Sequence, residues 1–458
     1  MQDLSVVVLA AGKGTRMKSR LPKVLQPLAG RPLLAHVLDA AAALGAAGTT
    51  SVVYGHGGEQ VRAFFAAAGV GWVEQAEQKG TGHAVRVALP QLPAQGRTLI
   101  LYGDVPLIRP QTLKKLVEMV RDGRSLSLLT LEMPDPTGYG RILRDTQGRV
   151  QRIVEQKDGS PAELAVREVN TGIFCVPNAL LHDWLPKLRN DNKQGEYYLT
   201  DIIGLASAEG VAIHTARPEA AWEVEGVNDK LQLSALERQH QRNQAEDLMR
   251  AGVTLLDPAR FDLRGSLEHG QDVEIDVNVV IEGRVRLGHG VRIGPNVLLR
   301  NASLGDGVIV KANTVIEDSE VGAGSDLGPF ARLRPESVLG ENVHVGNFVE
   351  LKKARLGKGA KVGHLAYLGD AVIGERVNVS AGVITCNYDG ANKHVTTIGD
   401  DAFIGTDSQL VAPLTIERGA FIAAGSTITK TAPAGALTIC RARDQKSIPG
   451  WKRPVKKK

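Results

Sequence analysis

Residues 321–356 read VGAGSDLGPFARLRPESVLGENVHVGNFVELKKARL, with apolar side chains at Val321, Leu327, Leu333, Leu339, Val345 and Leu351 and a restart five residues on at Leu356. The same six-residue beat extends both ways. Upstream it takes in Ile281, Leu287, Ile293 and Leu299, then Leu304, Val310 and Ile316; downstream it takes in Val362 and Leu368, then Ile373 and Val379. A break at Thr385–Thr397 interrupts it, and it resumes at Ile398, Ile404, Leu410, Ile416, Ile422 and Ile428. Glycine often follows the apolar residue, as at Gly322, Gly328, Gly340 and Gly346. A period of six fits neither a helix nor the uneven turn spacing of a hairpin sheet. It predicts the hexapeptide coils of a parallel β-helix. Each hexad makes a short strand and a corner, three hexads close a triangular coil, and the apolar residue stacks on its counterpart in the next coil.

Before residue 250 the pattern is different. The β-branched runs Ser5–Ala10, Ser51–Tyr54 and Thr98–Tyr102 predict buried strands, and Leu33–Leu44 and Pro110–Arg121 predict helices between them. Alternation of this kind implies an α/β sheet with ligands at the C-terminal ends of its strands. Residues 229–250 carry neither Gly nor Pro and predict a connecting helix. The expected organisation is therefore 1–228, a helical linker 229–250, and 251–458.

Composition narrows the functional classes. The chain has 458 residues, 43% hydrophobic and 23% charged, which excludes a wholly disordered protein. Aromatics are only 4%, while 51 glycines make up roughly 11%, against a usual ~7%. The net charge is +5, part of it in Lys452, Arg453, Lys456, Lys457 and Lys458; that tail reads either as a solvated terminus or as a phosphate-seeking arm. No basic patch is interleaved with stacking aromatics, so no nucleic-acid partner is expected. Cys175, Cys386 and Cys440 are widely spaced and form no CxxC pair, which points to a reducing compartment. The apolar run Leu4–Ala11 is too short to span a bilayer. The expectation is a soluble cytoplasmic protein with no membrane partner.

Two sets of residues carry chemistry. After the first strand the chain reads Leu9-Ala10-Ala11-Gly12-Lys13-Gly14-Thr15-Arg16, followed by Leu21-Pro22-Lys23. Glycine there lets backbone N–H groups approach a phosphate, although a plain strand-to-helix turn reads the same way. Tyr102-Gly103-Asp104 closes a later strand and sets a carboxylate where Mg²⁺ takes oxygen ligands; a turn or cap is the alternative. Gln75, Gly80-Thr81, Gly140, Glu155, Asn170 and Asn228 fall at other element ends. In the second half, His364 sits near a coil corner, with Arg334, Lys352, Tyr367, Asn378, Asn387 and Tyr388 on successive hexads or in the break. Coil stacking brings such residues together, and a long loop in a repeat fold commonly bears function.

Taken together, LAAGKGTRM, LPKVL, AEQKGTGHA, LYGDVPL, DPTGYGRI, EVNTG and EGVN resemble the sugar-phosphate nucleotidylyltransferases. GPFARLRP, HVGNFVELKKA, GHLAYLGDA and CNYDGANK resemble the left-handed β-helix acyltransferases. Both halves in this order resemble the bacterial bifunctional N-acetylglucosamine-1-phosphate uridylyltransferase and glucosamine-1-phosphate N-acetyltransferase family. The resemblance implies a Rossmann-like nucleotidylyltransferase domain and a left-handed parallel β-helix, assembled as a homotrimer. It implies acetylation of glucosamine 1-phosphate by acetyl-CoA, then transfer of UMP from UTP to N-acetylglucosamine 1-phosphate with Mg²⁺, a step toward peptidoglycan and lipopolysaccharide.

By the same resemblance, Leu9, Ala10, Ala11, Gly12, Gln75, Gly80, Thr81, Tyr102 and Gly103 belong to the nucleotide site, and Arg16 and Lys23 attend the phosphates. Gly140, Glu155 and Asn170 bind the sugar, and Asp104 and Asn228 hold the metal. His364 is the base in acetyl transfer. Arg334 and Lys352 bind the sugar phosphate, and Tyr367 and Asn378 position the sugar. Ala381, Asn387, Tyr388, Thr406, Ala424 and Arg441 line the acetyl-CoA cleft. Glu350 is a candidate to orient His364, against a plain surface glutamate. The competing expectations are a monofunctional sugar-1-phosphate nucleotidylyltransferase whose β-helix serves assembly or regulation, and a scaffold without catalysis.

Overall fold

The structure, a computed structural model, describes residues 3–46, 49–55, 57–121 and 123–440. It divides into two compact units, Met1–His240 and Gln241–Lys458. Arg441 and the basic tail lie outside the described residues.

In the first unit a nine-stranded sheet runs in the order Ala212–Ala216, Ser125–Glu132, Glu168–Pro177, Arg97–Tyr102, Leu4–Ala10, Thr50–Tyr54 and Gly71–Glu74, with Arg141–Arg144 and Val150–Val154 off this path. Leu4–Ala10 lies parallel between Thr50–Tyr54 and Arg97–Tyr102. Every residue of Leu4–Ala10 is buried because both faces of the sheet are covered. Val6 and Val8 belong to the apolar cluster on one face, and Val7 and Leu9 to the cluster on the other. The chain leaves this central strand toward one side and returns on the other. Such a switch point opens a crevice at the C-terminal ends of the two strands, after Ala10 and after Tyr102.

In the second unit the inward ladders follow the six-residue beat. Ile293, Val310, Leu327, Val345, Val362 and Val379 pair in register on one side of the prism. Leu299, Ile316, Leu333, Leu351 and Leu368 do so on a second, and Leu304, Val321, Leu339, Leu356 and Ile373 on the third. All are buried. Full burial of such a side chain stabilises by ~1.5–3 kcal/mol, so a chain poor in aromatic residues still builds a continuous core. Equivalent positions are 17 or 18 residues apart, and 25 apart where the loop intervenes.

The break begins later than the sequence pattern suggests. Ile384–Cys386 is still a strand in the stack, with Thr385 paired to Leu410 and 1% exposed. Its hydroxyl replaces the missing apolar contact: Thr385 Oγ1 accepts from Gly369 N at 2.7 Å and donates to Gly369 O at 3.0 Å. The looped-out residues run from 387 to 395, and Thr396–Ile398 resumes the stack against Ala371–Ile373.

The predicted connecting helix is Lys230–Arg250, and the division between units falls within it. In the first unit Leu236 is buried and the Glu237 carboxylate accepts from Ala29 N at 2.6 Å. In the second, Ala245 joins the prism core and Gln241 exchanges hydrogen bonds with the backbone of Leu263 at 2.7 and 3.1 Å. Among the described residues no helix is long and apolar enough to cross a membrane.

Candidate active sites

The switch-point crevice of the first unit is a cavity of about 460 Å³. Ten of the predicted residues line it: Leu9, Ala10, Ala11, Gly12, Lys23, Gln75, Gly80, Thr81, Tyr102 and Asp104. A Cβ on Gly12 would meet nothing within 4 Å, so its backbone stands open to a ligand. Gly80 is different. At φ +103 a Cβ would come 2.6 Å from the Tyr197 carbonyl, so the chain passes there only as glycine.

At the phosphate end, Lys23 forms an ion pair with Asp104, and its Nζ lies 3.4 Å from Asn228 Oδ1. Both partners of the ion pair are mostly shielded from solvent, at 13% and 16% exposed. Asn228 arrives through Glu225-Gly226-Val227, where Val227 N donates to the Asp104 carbonyl at 2.9 Å. One cation already sits between these two oxygen donors, so the pair fits a hard ion. Mg²⁺ commonly takes one or two protein oxygens and leaves its other positions to water and phosphate. Among the described residues no cluster of three or more His, Cys, Asp or Glu side chains is arranged to hold a metal.

The predicted sugar residues form an adjoining wall. Asn170 N donates to the Gly140 carbonyl at 2.9 Å, and a Cβ on Gly140 would lie 3.5 Å from Glu155 Oε1. Thr200 Oγ1 donates to Glu155 at 2.9 Å. Burial raises the Glu155 pKa, with the Asp158 and Glu196 carboxylates adding to it. Burial also raises the Tyr102 hydroxyl, reinforced by Glu155 and Asp104, so that phenol stays protonated. Gly103 is buried behind the cavity against Ala10, Val24 and Leu34. Arg16 is exposed on the short turn Thr15–Met17 and is not among the residues lining the cavity. Lys13, Gln78 and Glu196 do line it. The first two lie inside motifs already noted, whereas nothing in the local pattern singled out Glu196.

In the second unit His364 ends the strand Lys361–His364 and is exposed at a coil corner. It pairs in register with Asn347, and its Nδ1 lies 2.7 Å from Asn347 Oδ1. An amide oxygen only accepts, so Nδ1 carries the hydrogen and Nε2 presents a lone pair. Glu350, weighed in the sequence as a partner for His364 against a plain surface glutamate, accepts from Arg334 at 2.8 Å.

The same corner continues upward through backbone bonds one coil apart. Gly382 N donates to the His364 carbonyl, Asp407 N to that of Ala381, and Gly425 N to that of Thr406. Ala381, Thr406 and Ala424 therefore prolong the column that starts at Asn347 and His364. Next to it, Phe330, Phe348 and Leu365 hold positive φ of 56°, 56° and 49° and are 50%, 53% and 61% exposed. The two rings stack at 5.3 Å.

Beyond the corner, Lys352 pairs in register with Gly369, one position past Leu351–Leu368, and Arg334 N bonds the Leu351 carbonyl at 2.9 Å. Lys393, from the loop, presses on Lys352 and lowers its pKa; the nearby Arg334 acts in the same direction and Asp370 opposes it. Three cations thus converge without an equal number of carboxylates, an arrangement suited to a phosphate. Tyr367 and Asn387 both flank Gly369, and Asn387, 7% exposed, bonds Asp370. Tyr388 is exposed and hydrogen-bonds Gly390 O at 2.6 Å. Asn378 lies on the neighbouring side of the prism, in register with Lys361 and Phe403, and its amide donates to Ser380 Oγ at 3.3 Å.

Comparison with known proteins yields three matching families: MobA-like NTP transferase domain over residues 6–154, GMPPB C-terminal domain over 264–356, and bacterial transferase hexapeptide (six repeats) over 396–430. The bifunctional protein GlmU of Aromatoleum aromaticum is 59% identical over 455 residues, 99% of this chain and 99% of that one. That of Azoarcus sp. is also 59% identical, over 99% and 100% of the two chains. That of Acinetobacter baumannii is 56% identical over 454 residues, 99% of each.

Proposed function

Because the chain belongs to the bifunctional GlmU family, we propose that its two reactions divide between the two units as the residues described above suggest. The protein is an enzyme that acetylates glucosamine 1-phosphate with acetyl-CoA and transfers UMP from UTP to N-acetylglucosamine 1-phosphate, releasing pyrophosphate. The observation that carries the division is the separate placement of the Lys23–Asp104–Asn228 group and the Asn347–His364 pair, each within its own unit.

In the first unit the sugar 1-phosphate oxygen attacks the α-phosphorus of UTP, a P–O bond forms, and the bond to pyrophosphate breaks. The attacking phosphate is already ionised, so no side chain need take a proton. Gln75, Gly80 and the Ala11–Gly12 backbone hold the base, while Lys23 and Lys13 offset phosphate charge. The Gly140–Glu155–Asn170 wall orients the sugar. Alignment and charge neutralisation then account for most of the acceleration. Bound between Asp104 and Asn228, Mg²⁺ would supply further neutralisation of the phosphate oxygens.

In the second unit the amine of glucosamine 1-phosphate attacks the thioester carbonyl. His364 Nε2 accepts the amine proton as the C–N bond forms, and the coenzyme A thiolate leaves. Arg334, Lys352 and Lys393 hold the sugar phosphate, and Tyr367 and Asn378 position the ring. The acetyl-CoA cleft follows the column Ala381–Thr406–Ala424 together with Asn387 and Tyr388; Arg441 belongs to the same reading. The exposed stack Phe330–Phe348–Leu365 beside His364 favours a homotrimer in which a neighbouring β-helix covers this corner. The same reading places the enzyme in the cytoplasm, where its nucleotide and thioester substrates are made.

The test incubates the protein with glucosamine 1-phosphate, acetyl-CoA, UTP and Mg²⁺ and weighs the products with each reagent omitted. UDP-N-acetylglucosamine in the full mixture, and N-acetylglucosamine 1-phosphate alone without UTP, are expected. Turnover of UTP with no acetylation at all would leave only the monofunctional alternative.

A further inference from the structure

Gln75 is 4% exposed at the end of the strand Gly71–Glu74, and its side-chain nitrogen meets two partners. Nε2 donates to the Gly80 carbonyl at 3.0 Å and lies 3.1 Å from His83 Nδ1. A carbonyl can only accept, so the Gly80 contact fixes the amide with Nε2 on that side. Nε2 can only donate, so His83 Nδ1 must accept, and the ring must be neutral with its hydrogen on Nε2. The ring also hydrogen-bonds the backbone of Glu77, which suits one donating and one accepting nitrogen. Both amide hydrogens of Gln75 are then engaged, and Oε1 is the group left to a ligand in the cavity Gln75 lines.

We propose that His83 is a positioning residue that locks Gln75 as a hydrogen-bond acceptor and thereby selects a pyrimidine bearing N3–H over one whose N3 is a lone pair. The proposal rests on the reading that Gln75 faces the base. Uracil gives Oε1 a donor at N3, whereas cytosine sets acceptor against acceptor. A site built around one hydrogen-bonding pattern rejects its complement strongly, because the buried group is left unpaired. The surroundings keep the ring neutral. Burial comes first in lowering its pKa, the Arg86 and Lys79 cations add to it, Glu77 opposes it, and Tyr197 faces the ring at 6.4 Å.

The test measures uridylyl transfer with UTP and with CTP at saturating N-acetylglucosamine 1-phosphate, with acetyl transfer by the same preparations as the control for folding. His83→Leu should lower the UTP-to-CTP ratio of kcat/KM by about tenfold or more. His83→Asn, which returns an acceptor near the Nδ1 position, should hold that ratio within about threefold of the parent, and His83→Gln, whose oxygen lies farther out, should not. A ratio unmoved in His83→Leu, or lowered as far in His83→Asn, overturns the role of His83. Gln75→Leu separates the two ideas: if it too leaves the ratio unmoved, the base does not meet Gln75 and the underlying reading fails. Should His83→Leu lose both activities, the Asn and Gln variants decide the matter by the same ratio.

Discussion

His364 and Asn347 occupy the same corner of successive coils, and the Asn347 side-chain oxygen stands 2.7 Å from His364 Nδ1. The pairing fixes which ring nitrogen is free, since Nε2 holds the lone pair only while Nδ1 keeps its hydrogen. Asn347→Leu should therefore slow acetyl transfer by about 10–100-fold, chiefly in kcat, the range seen when an orienting partner is lost. Asn347→Asp should retain turnover but move the acid limb of its pH–rate profile upward, because a carboxylate favours the protonated ring. An unchanged profile in the Asp variant, with full activity in the Leu variant, would remove Asn347 from the mechanism.

The two groups of residues lie in separate units, so single substitutions should separate the two activities. His364→Ala should reduce acetyl transfer by about 10²–10⁴-fold, the usual worth of a positioned base, and leave uridylyl transfer near the parent rate. Asp104→Ala should do the converse, with loss of Mg²⁺-dependent uridylyl transfer and normal acetylation. Coupled assays on each variant, each supplied with its own half-reaction substrates, give the answer. Parallel loss of both activities in either properly folded variant would contradict independent sites.

How much of this was legible beforehand depended on the range of the physical signal. The hexad beat is local and repeats, so the ladder Leu327–Val345–Val362 could be read off the sequence and is buried as expected. The crevice was legible because Leu9–Gly12 and Tyr102–Asp104 end strands that an α/β sheet sets side by side. What escaped was pairing between coils. Whether Asn347 or Glu350 meets His364 depends on the 17-residue offset at that coil, and a six-residue pattern does not reveal which neighbours share a corner. Thr385 escaped because a threonine breaks an apolar pattern even where its hydroxyl satisfies the backbone around it. Arg16 lies off the cavity lining for a related reason. The turn after Gly14 points it outward while Lys23, pressed against Gly14, turns in.

Lys393 comes from the looped-out segment and crowds Lys352. The segment is held in place by its own contacts. Asp389 accepts from Ala391 N, Asn392 N and His394 Nε2, and Asn387 bonds Asp370. An ammonium kept beside another ammonium is unfavourable until an anion arrives, so the pair is poised for a phosphate. Lys393→Ala should raise KM for glucosamine 1-phosphate about tenfold, the weight of one charge-assisted contact, with little change in kcat. It should also raise the pKa of Lys352 in the unliganded protein, which NMR titration of the lysine Nζ resonances would reveal. A normal KM together with an unmoved Lys352 would show that the loop takes no part in phosphate binding.

The first unit stores a penalty that depends on pH. Burial raises Asp201 to about 6, and Glu155, Asp191 and Asp158 add their negative charges to the effect. Between its ordinary value of 3.8 and about 6 the folded protein binds a proton that the unfolded chain has released. Stability from this group is thus present in full below pH ~4, falls as pH rises, and is lost above pH ~6. Asp201→Asn removes the titration while keeping the size of the side chain. Its advantage over the parent should be negligible at pH 4 and grow to about 1 kcal/mol at pH 7.5, a discounted figure because Asp201 remains in contact with solvent. Trp184, wholly buried in this unit, reports unfolding by fluorescence in urea. Equal advantages at pH 4 and pH 7.5 would mean that Asp201 carries no electrostatic strain, and that the crowding of carboxylates around Glu155 is relieved by solvent.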